Sequence, residues 1–101
     1  MRISPPERRA LNYALENIPF DAFLFGSRCD DTRRGGDVDV LVLGKDLTDA
    51  QRLDMELKII ARFQSLCDEK IDVAVFDITR LTPAEKSFLA VVGSNKLSWA
   101  A

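Results

Sequence analysis

Apolar residues recur along the chain in two patterns, which predict helices alternating with short strands. Ser4 precedes two prolines, and the apolar residues that follow have helical spacing, which predicts a first helix over about residues 5 to 18. The pairs Thr48 with Gln51 and Thr82 with Glu85 have the spacing of capping boxes at the starts of two further helices. Short runs rich in Val, Ile and Phe predict strands, and these runs are Ala22–Phe25, Asp37–Leu43 and Ile71–Phe76, with a last short strand near Lys96–Trp99.

The same patterns predict which side of each element faces the core. On the second helix the predicted core face is Leu53, Leu57, Ile60 and Phe63. Met55 and Ile59 lie to one side of that face, and they indicate either a broad core face or a surface for a partner. In the second and third strands, alternate valine and isoleucine positions point into the core, which places the carboxylates of those strands on the opposite face.

This alternation of strands and helices predicts the fold class. We expect an α/β fold with a small mixed β-sheet, helices packed mainly on one face, and the carboxylate-bearing face left open. The length of 101 residues, with 47% hydrophobic and 30% charged residues, predicts a single domain over residues 1–101. Such a domain has a core but no room for a second lobe.

Charge and composition exclude several classes of function. The formal net charge is −2 and there is no long basic run, so direct binding of nucleic acid is not expected. No signal-peptide pattern and no apolar run of the ~20 residues that span a membrane is found, which predicts a cytoplasmic protein without membrane contact. The absence of His excludes Ser-His-Asp and Cys-His catalysis. Any catalysis must therefore use carboxylates and a metal.

One stretch carries residues suited to such chemistry. The apolar strand that ends at Phe25 leads into Gly26 and Ser27, a turn whose backbone N–H groups and hydroxyl suit a phosphate, and Arg28 adds a cation. The next strand opens with two alternating carboxylates, Asp37 and Asp39, expected to project from one face about 6 to 7 Å apart. Carboxylate ligands without His favour Mg²⁺, which usually bridges such groups to substrate phosphates.

These residues resemble the signature of the DNA polymerase β-like nucleotidyltransferases, which is Gly-Ser, a short loop, and Asp-X-Asp at the start of an apolar strand. The similarity is greatest to the prokaryotic minimal nucleotidyltransferases. It implies a palm-like nucleotidyltransferase fold in which Gly26 and Ser27 bind the nucleotide. It also implies that Asp37, Asp39 and, from the third strand, Asp72 are the catalytic residues and hold two Mg²⁺ ions, with ATP as the substrate.

The resemblance further implies transfer of AMP from ATP to a hydroxyl of a partner protein, with this chain as the antitoxin of a helical HEPN-type toxin. The alternative within the same family is a catalytically weak or inactive antitoxin that neutralises its partner by contact. Gly36 and Asp31, which replace a Ser and a Gly found in many members, favour this alternative, whereas the intact carboxylates favour an active enzyme.

Two interpretations outside the family stay open. Gly26 and Ser27 fit an ordinary turn, with Asp37 and Asp39 at a solvated start of a strand. A haloacid dehalogenase-type phosphatase also uses Asp-X-Asp. Its Asp pair closes a strand, whereas this pair opens one, and such enzymes are usually much longer.

Overall fold

The predicted elements are present in the computed structural model, which describes residues 3–25, 38–92 and 97–99. In chain order they are α1 (Pro5–Leu15), β1 (Asp21–Phe25), β2 (Val38–Gly44), α2 (Asp49–Leu66), β3 (Ile71–Asp77), α3 (Pro83–Val92) and β4 (Leu97–Trp99). The largest difference is the end of α1, which stops at Leu15 although the apolar spacing continues to Ile18. The Ile18 N–H donates to the Leu15 carbonyl at 3.2 Å, an i to i−3 bond that closes the end of the helix as a turn.

The helices begin where the capping pattern predicts. The Thr48 hydroxyl accepts from the Gln51 N–H at 3.1 Å while the Gln51 side chain accepts from the Thr48 N–H at 2.9 Å. Thr82 and Glu85 make the same reciprocal pair at 3.1 and 2.9 Å. Ser4 caps α1 in this way as well. These bonds satisfy N–H groups that the first turn of a helix leaves without a partner.

The strands form a mixed sheet in the order β3-β2-β1-β4. β1 is antiparallel to both β2 and β4, whereas β2 and β3 are parallel. Parallel neighbours need a crossover connection, and α2 provides it between β2 and β3. This arrangement confirms the predicted α/β class with a small mixed sheet.

α1 and α2 pack on one face of the sheet and form the main core. Alternate residues of the strands point toward these helices, as predicted from their spacing. The fully buried members of this core are Ala10, Leu11, Leu24, Val38, Val40, Val42, Ile59, Phe63 and Val75. None of the described helices combines the length and the apolar character needed to cross a bilayer.

The predicted core face of α2 is wrong at two of its four positions. Leu53 and Leu57 are 55% and 57% exposed, whereas Ile59 is fully buried. Phe63 is buried as predicted, and Ile60 packs against the core. Apolar residues lie on more than one side of this helix, so spacing alone fits two rotations about its axis.

Polar contacts at the edge of the sheet fix the rotation of α2. The Arg52 guanidinium donates from Nε to the Val75 carbonyl at 3.0 Å, and the Val75 N–H donates to the Glu56 carboxylate at 3.1 Å. Both side chains belong to the side of α2 that faces β3. With that side turned toward the sheet, Leu53 and Leu57 point to solvent.

α3 covers part of the other face of the sheet. The Phe88 ring meets the rings of Phe25 and Phe76 edge to face, with centroids 5.2 and 5.6 Å apart. Both partners occupy strand positions that alternate away from the main core, as does the fully buried Leu41. The carboxylate-bearing face is therefore only partly open, because its own apolar residues require a cover.

Candidate functional site

Asp39 and Asp72 are brought together by the register of the parallel strands. Asp39 on β2 and Asp72 on β3 are directly paired positions. Their neighbours Val40 and Val73 contribute to the core, so both carboxylates project from the opposite face. Adjacent strands lie about 4.8 Å apart. Two predicted site residues that are 33 positions apart in sequence therefore occupy neighbouring sites on one surface.

The same end of the sheet holds the end of β1. Phe25, the last residue of β1, is paired with Asp39 on the side opposite Asp72. Gly26 follows Phe25 in the chain and Asp37 precedes Val38. The predicted residues Gly26, Ser27, Arg28 and Asp37 lie outside the residues that the structure describes.

The two carboxylates have the donor chemistry of a site for a hard cation. Asp72 is exposed and Asp39 is partly buried. Like charges on neighbouring strand positions repel each other, and a bound cation relieves that repulsion. Among the described residues no group of three or more His, Cys, Asp or Glu side chains forms a metal site. The predicted third ligand, Asp37, is outside that set, and the two described oxygen donors fit Mg²⁺.

An aromatic wall stands beside these carboxylates. Phe25 adjoins Asp39 across the sheet, and the Phe88 ring of α3 packs against it at an interplanar angle of 89°. Phe76 continues the wall on β3. The wall closes the surface on the α3 side, so a ligand at the carboxylates meets an apolar boundary there.

Arg52 links α3, and therefore this wall, to α2. Its guanidinium is 2.8 Å from the Glu85 carboxylate in the first turn of α3, and both side chains are largely buried. The Thr82 N–H, together with Arg52, holds the pKa of Glu85 below its usual value. This ion pair and the capping box fix the start of α3 at the edge of β3.

A further carboxylate, Asp77, lies at the opposite end of β3, and the sequence analysis did not single it out. Its side chain is fully buried and accepts hydrogen bonds from the Leu47 N–H at 2.9 Å, the Asp46 N–H at 3.3 Å and the Thr79 N–H at 2.9 Å. The Thr79 hydroxyl and the Arg80 guanidinium also donate to it.

These bonds, with the Thr79 hydroxyl the largest contribution, hold the pKa of Asp77 far below its usual range. The hydrogen bonds that the Asp77 carboxylate accepts join the turn before α2 to the turn after β3. Asp77 occupies the core-facing parity of Ile71, Val73 and Val75. This core-facing position in the sequence pattern was the feature that could have identified Asp77 as a structural carboxylate.

Comparison with solved structures finds this fold in structures of toxin–antitoxin pairs. A toxin–antitoxin structure with AMP-PNP has a TM-score of 0.61 and 22% identity, covering 93% of this chain and 73% of that chain. A tri-AMPylated HEPN toxin from Shewanella oneidensis in complex with an MNT antitoxin gives 0.55 and 21%, with 95% and 71% covered. The toxin–antitoxin structure MntA–HepT gives 0.54 and 20%, again with 95% and 71% covered.

At these identities the likeness establishes the fold. The predicted α/β fold with a small mixed sheet is confirmed by it. No family model matches the sequence, and no curated protein does.

Proposed function

We propose that this chain is an Mg²⁺-dependent nucleotidyltransferase that transfers AMP from ATP to a hydroxyl of a partner protein. The observation that carries the proposal is the direct pairing of Asp39 with Asp72 at the end of the sheet where β1 stops. The partner is a helical HEPN-type toxin, and this chain is its cytoplasmic antitoxin, one domain over residues 1–101. AMP-PNP, an AMPylated toxin and an MNT antitoxin in the similar structures support this assignment.

In the proposed reaction the predicted residues form two groups with different tasks. Gly26, Ser27 and Arg28 bind the triphosphate. Asp37, Asp39 and Asp72 hold two Mg²⁺ ions, which when bound offset the charge of the triphosphate and lower the pKa of the acceptor hydroxyl. The acceptor oxygen attacks the α-phosphorus, the bond to the bridging oxygen breaks, and pyrophosphate leaves.

Asp72 is proposed to receive the proton of the acceptor hydroxyl, or to hold a metal ion that would lower the pKa of that hydroxyl. It is exposed, so a side chain of the partner can reach it from solvent, whereas Asp39 is partly buried between neighbouring strands. Among the residues that the structure describes, Phe25 and Phe88 form a wall on one side of the carboxylates. The partner would then supply the remaining walls together with the acceptor.

Labelled ATP tests this proposal. The complex with its partner is incubated with Mg²⁺ and ATP labelled at the α- or the γ-phosphate, and we expect only the α-label on the partner. Asp72→Asn should reduce labelling by about 100-fold or more while retaining much of the Mg²⁺-ATP-dependent rise in melting temperature, because the carboxylate acts mainly in the transition state. Asp68→Asn, an exposed aspartate beyond α2, is the matched control and should label normally.

Transfer of the γ-label instead would identify a kinase and refute the proposal. If the partner carries neither label, yet is silenced equally by wild type and Asp72→Asn, the remaining function is that of an antitoxin that inhibits by contact.

Inhibition by contact is the second candidate, and the exposed face of α2 favours it. Ala50, Leu53, Leu57 and Ala61 are exposed and follow one another at spacings that put them on one side of the helix. We call these four residues the α2 stripe. The sequence left two interpretations of Met55 and Ile59, a broad core face or a surface for a partner. The core face is correct, because Ile59 is fully buried and Met55 packs against the core.

Polar substitution of the α2 stripe tests whether it contacts the partner. Leu53→Gln combined with Leu57→Gln should weaken binding of the toxin by about tenfold or more, because exposed leucines contribute by burial on association. Leu66→Gln is the control, since Leu66 is on the same helix and is 56% exposed. Affinity is measured by calorimetric titration of the partner. Equal affinities for the double variant, the control and wild type would show that the partner docks elsewhere.

A further inference from the structure

A cavity lies on the helical side of the molecule, away from the paired carboxylates. Its volume is about 440 Å³, within the range typical of pockets for small molecules. It is bounded by the end of α1, the segment that leads to β1, and the side of α2. The apolar part of its lining consists of Ala14, Ile18, Pro19, Phe20, Leu47 and Met55.

Three charged side chains of successive turns of α2 form the rim of this cavity. Asp54 and Lys58 pair with each other, with the ammonium nitrogen 3.0 Å from the carboxylate. Arg62, one turn further, has its guanidinium carbon 5.6 Å from the centre of the Tyr13 ring and over its face. No carboxylate of the described residues lies within ion-pair distance of Arg62. The rim therefore has one cation that is not neutralised by a described residue.

The contact with Tyr13 leaves Arg62 able to bind an anion. A cation–π contact does not neutralise the positive charge, and the planar guanidinium carries its N–H donors as a fork in its own plane. Two parallel donors in one plane match the two oxygens of a carboxylate. The ring also limits the rotamers of Arg62, so less side-chain entropy is lost when the anion binds.

We infer that this cavity binds an amphipathic monocarboxylate, with its apolar chain against Met55 and Ala14 and its carboxylate on Arg62. The apolar part of the lining favours a ligand with an apolar chain, and Arg62, which no described carboxylate neutralises, favours a head group with one negative charge. The site is on the opposite face of the sheet from Asp39 and Asp72. It is independent of the proposed nucleotide chemistry, and a ligand here would not compete with ATP.

Three ten-carbon probes that differ only in their head group test the inference. Decanoate, decanol and decylammonium are titrated below their micelle concentrations, and binding is followed by NMR of the Met55 and Ala14 methyl groups. We expect decanoate to bind at least tenfold more tightly than decanol, and decylammonium to bind least tightly. Equal affinities for decanoate and decylammonium, or no shift of either methyl group with decanoate, would overturn the inference.

Matched variants distinguish a direct contact of the carboxylate with Arg62 from a general effect of the protein's net charge. Arg62→Gln should weaken decanoate about tenfold and leave decanol within twofold, whereas Lys86→Gln, which removes an exposed cation from α3, should change neither. Ile18→Trp places a larger ring in the lining and should weaken both probes alike. Each variant is first checked for an unchanged fold by its amide spectrum. Decanoate binding that survives Arg62→Gln unchanged would refute the assigned head-group contact.

Discussion

The two ends of β3 place the same side chain in opposite surroundings. Asp72, near the start of the strand, is exposed beside Asp39. Asp77, at the end of the strand, is fully buried and accepts hydrogen bonds from backbone and side-chain donors of two turns. A buried carboxylate is stable only when donors surround it, whereas an exposed one is solvated by water.

The difference separates structural from functional carboxylates in this fold. Protein donors already occupy the oxygens of Asp77, so a ligand has little to gain there. Asp72 faces solvent beside a second carboxylate, so a ligand can reach its oxygens. A carboxylate that the fold does not need is therefore the better candidate for chemistry.

Substitution of each aspartate by asparagine should give the largest contrast. Asp77→Asn replaces one of the two carboxylate oxygens by an NH2 group, so its donors face either the Leu47 N–H or the Thr79 N–H, and the melting temperature should fall by about 10 °C or more. Asp72→Asn should change it by no more than about 2 °C, because it removes an exposed charge. Thermal unfolding followed by circular dichroism measures both. Similar losses in the two variants would contradict the division between the two ends of the strand.

Acid should erase the contribution of Asp77. Because the pKa of Asp77 is lowered on folding, its ionised form stabilises the native state above its usual pKa of 3.8, and this stabilisation is lost as the pH falls further below it. The free energies of unfolding of wild type and Asp77→Asn should therefore differ most above about pH 5 and converge toward pH 2. Glu85, whose pKa is also lowered, is present in both proteins and cancels in the difference. A constant difference over this range would show that the carboxylate is not the stabilising species.

The smallest effect is expected in the turn that Asp77 holds. Asp46 has a backbone φ of 56°, in the left-handed region, where glycine is not strained. Asp46→Gly keeps the N–H that donates to Asp77 and should change the free energy of unfolding by no more than about 0.5 kcal/mol, whereas Asp46→Ala should destabilise by about 1 kcal/mol. Urea unfolding of the two variants provides the comparison. A more stable alanine variant would mean that the turn changes conformation.

The sequence predicted the elements well because their signals are local. Capping boxes at Thr48 and Thr82 and the alternation of valines in β2 depend only on near neighbours, and the structure confirms them. The face of α2 was predicted wrongly because it depends on contacts of Arg52 and Glu56 with Val75, residues of another element.

The candidate site was only partly accessible to sequence reasoning. The spacing of Asp39 and its role by resemblance were available from the sequence, but its pairing with Asp72 depends on the register of two strands joined by a long crossover. Asp77 could have been suspected, because it continues the core-facing parity of Val73 and Val75. Its partners at Asp46 and Leu47 are about 30 residues away and carry no sequence signal.

The contacts of Arg52 and Glu56 with Val75 also bear on self-association. β3 is an outer strand of the sheet, and an outer strand with unpaired backbone groups is a template for the strand of another molecule. At Val75 both backbone groups are already engaged by side chains of α2. A strand arriving from a second chain would have to displace a guanidinium and a carboxylate there, so this margin of the sheet resists edge-to-edge aggregation.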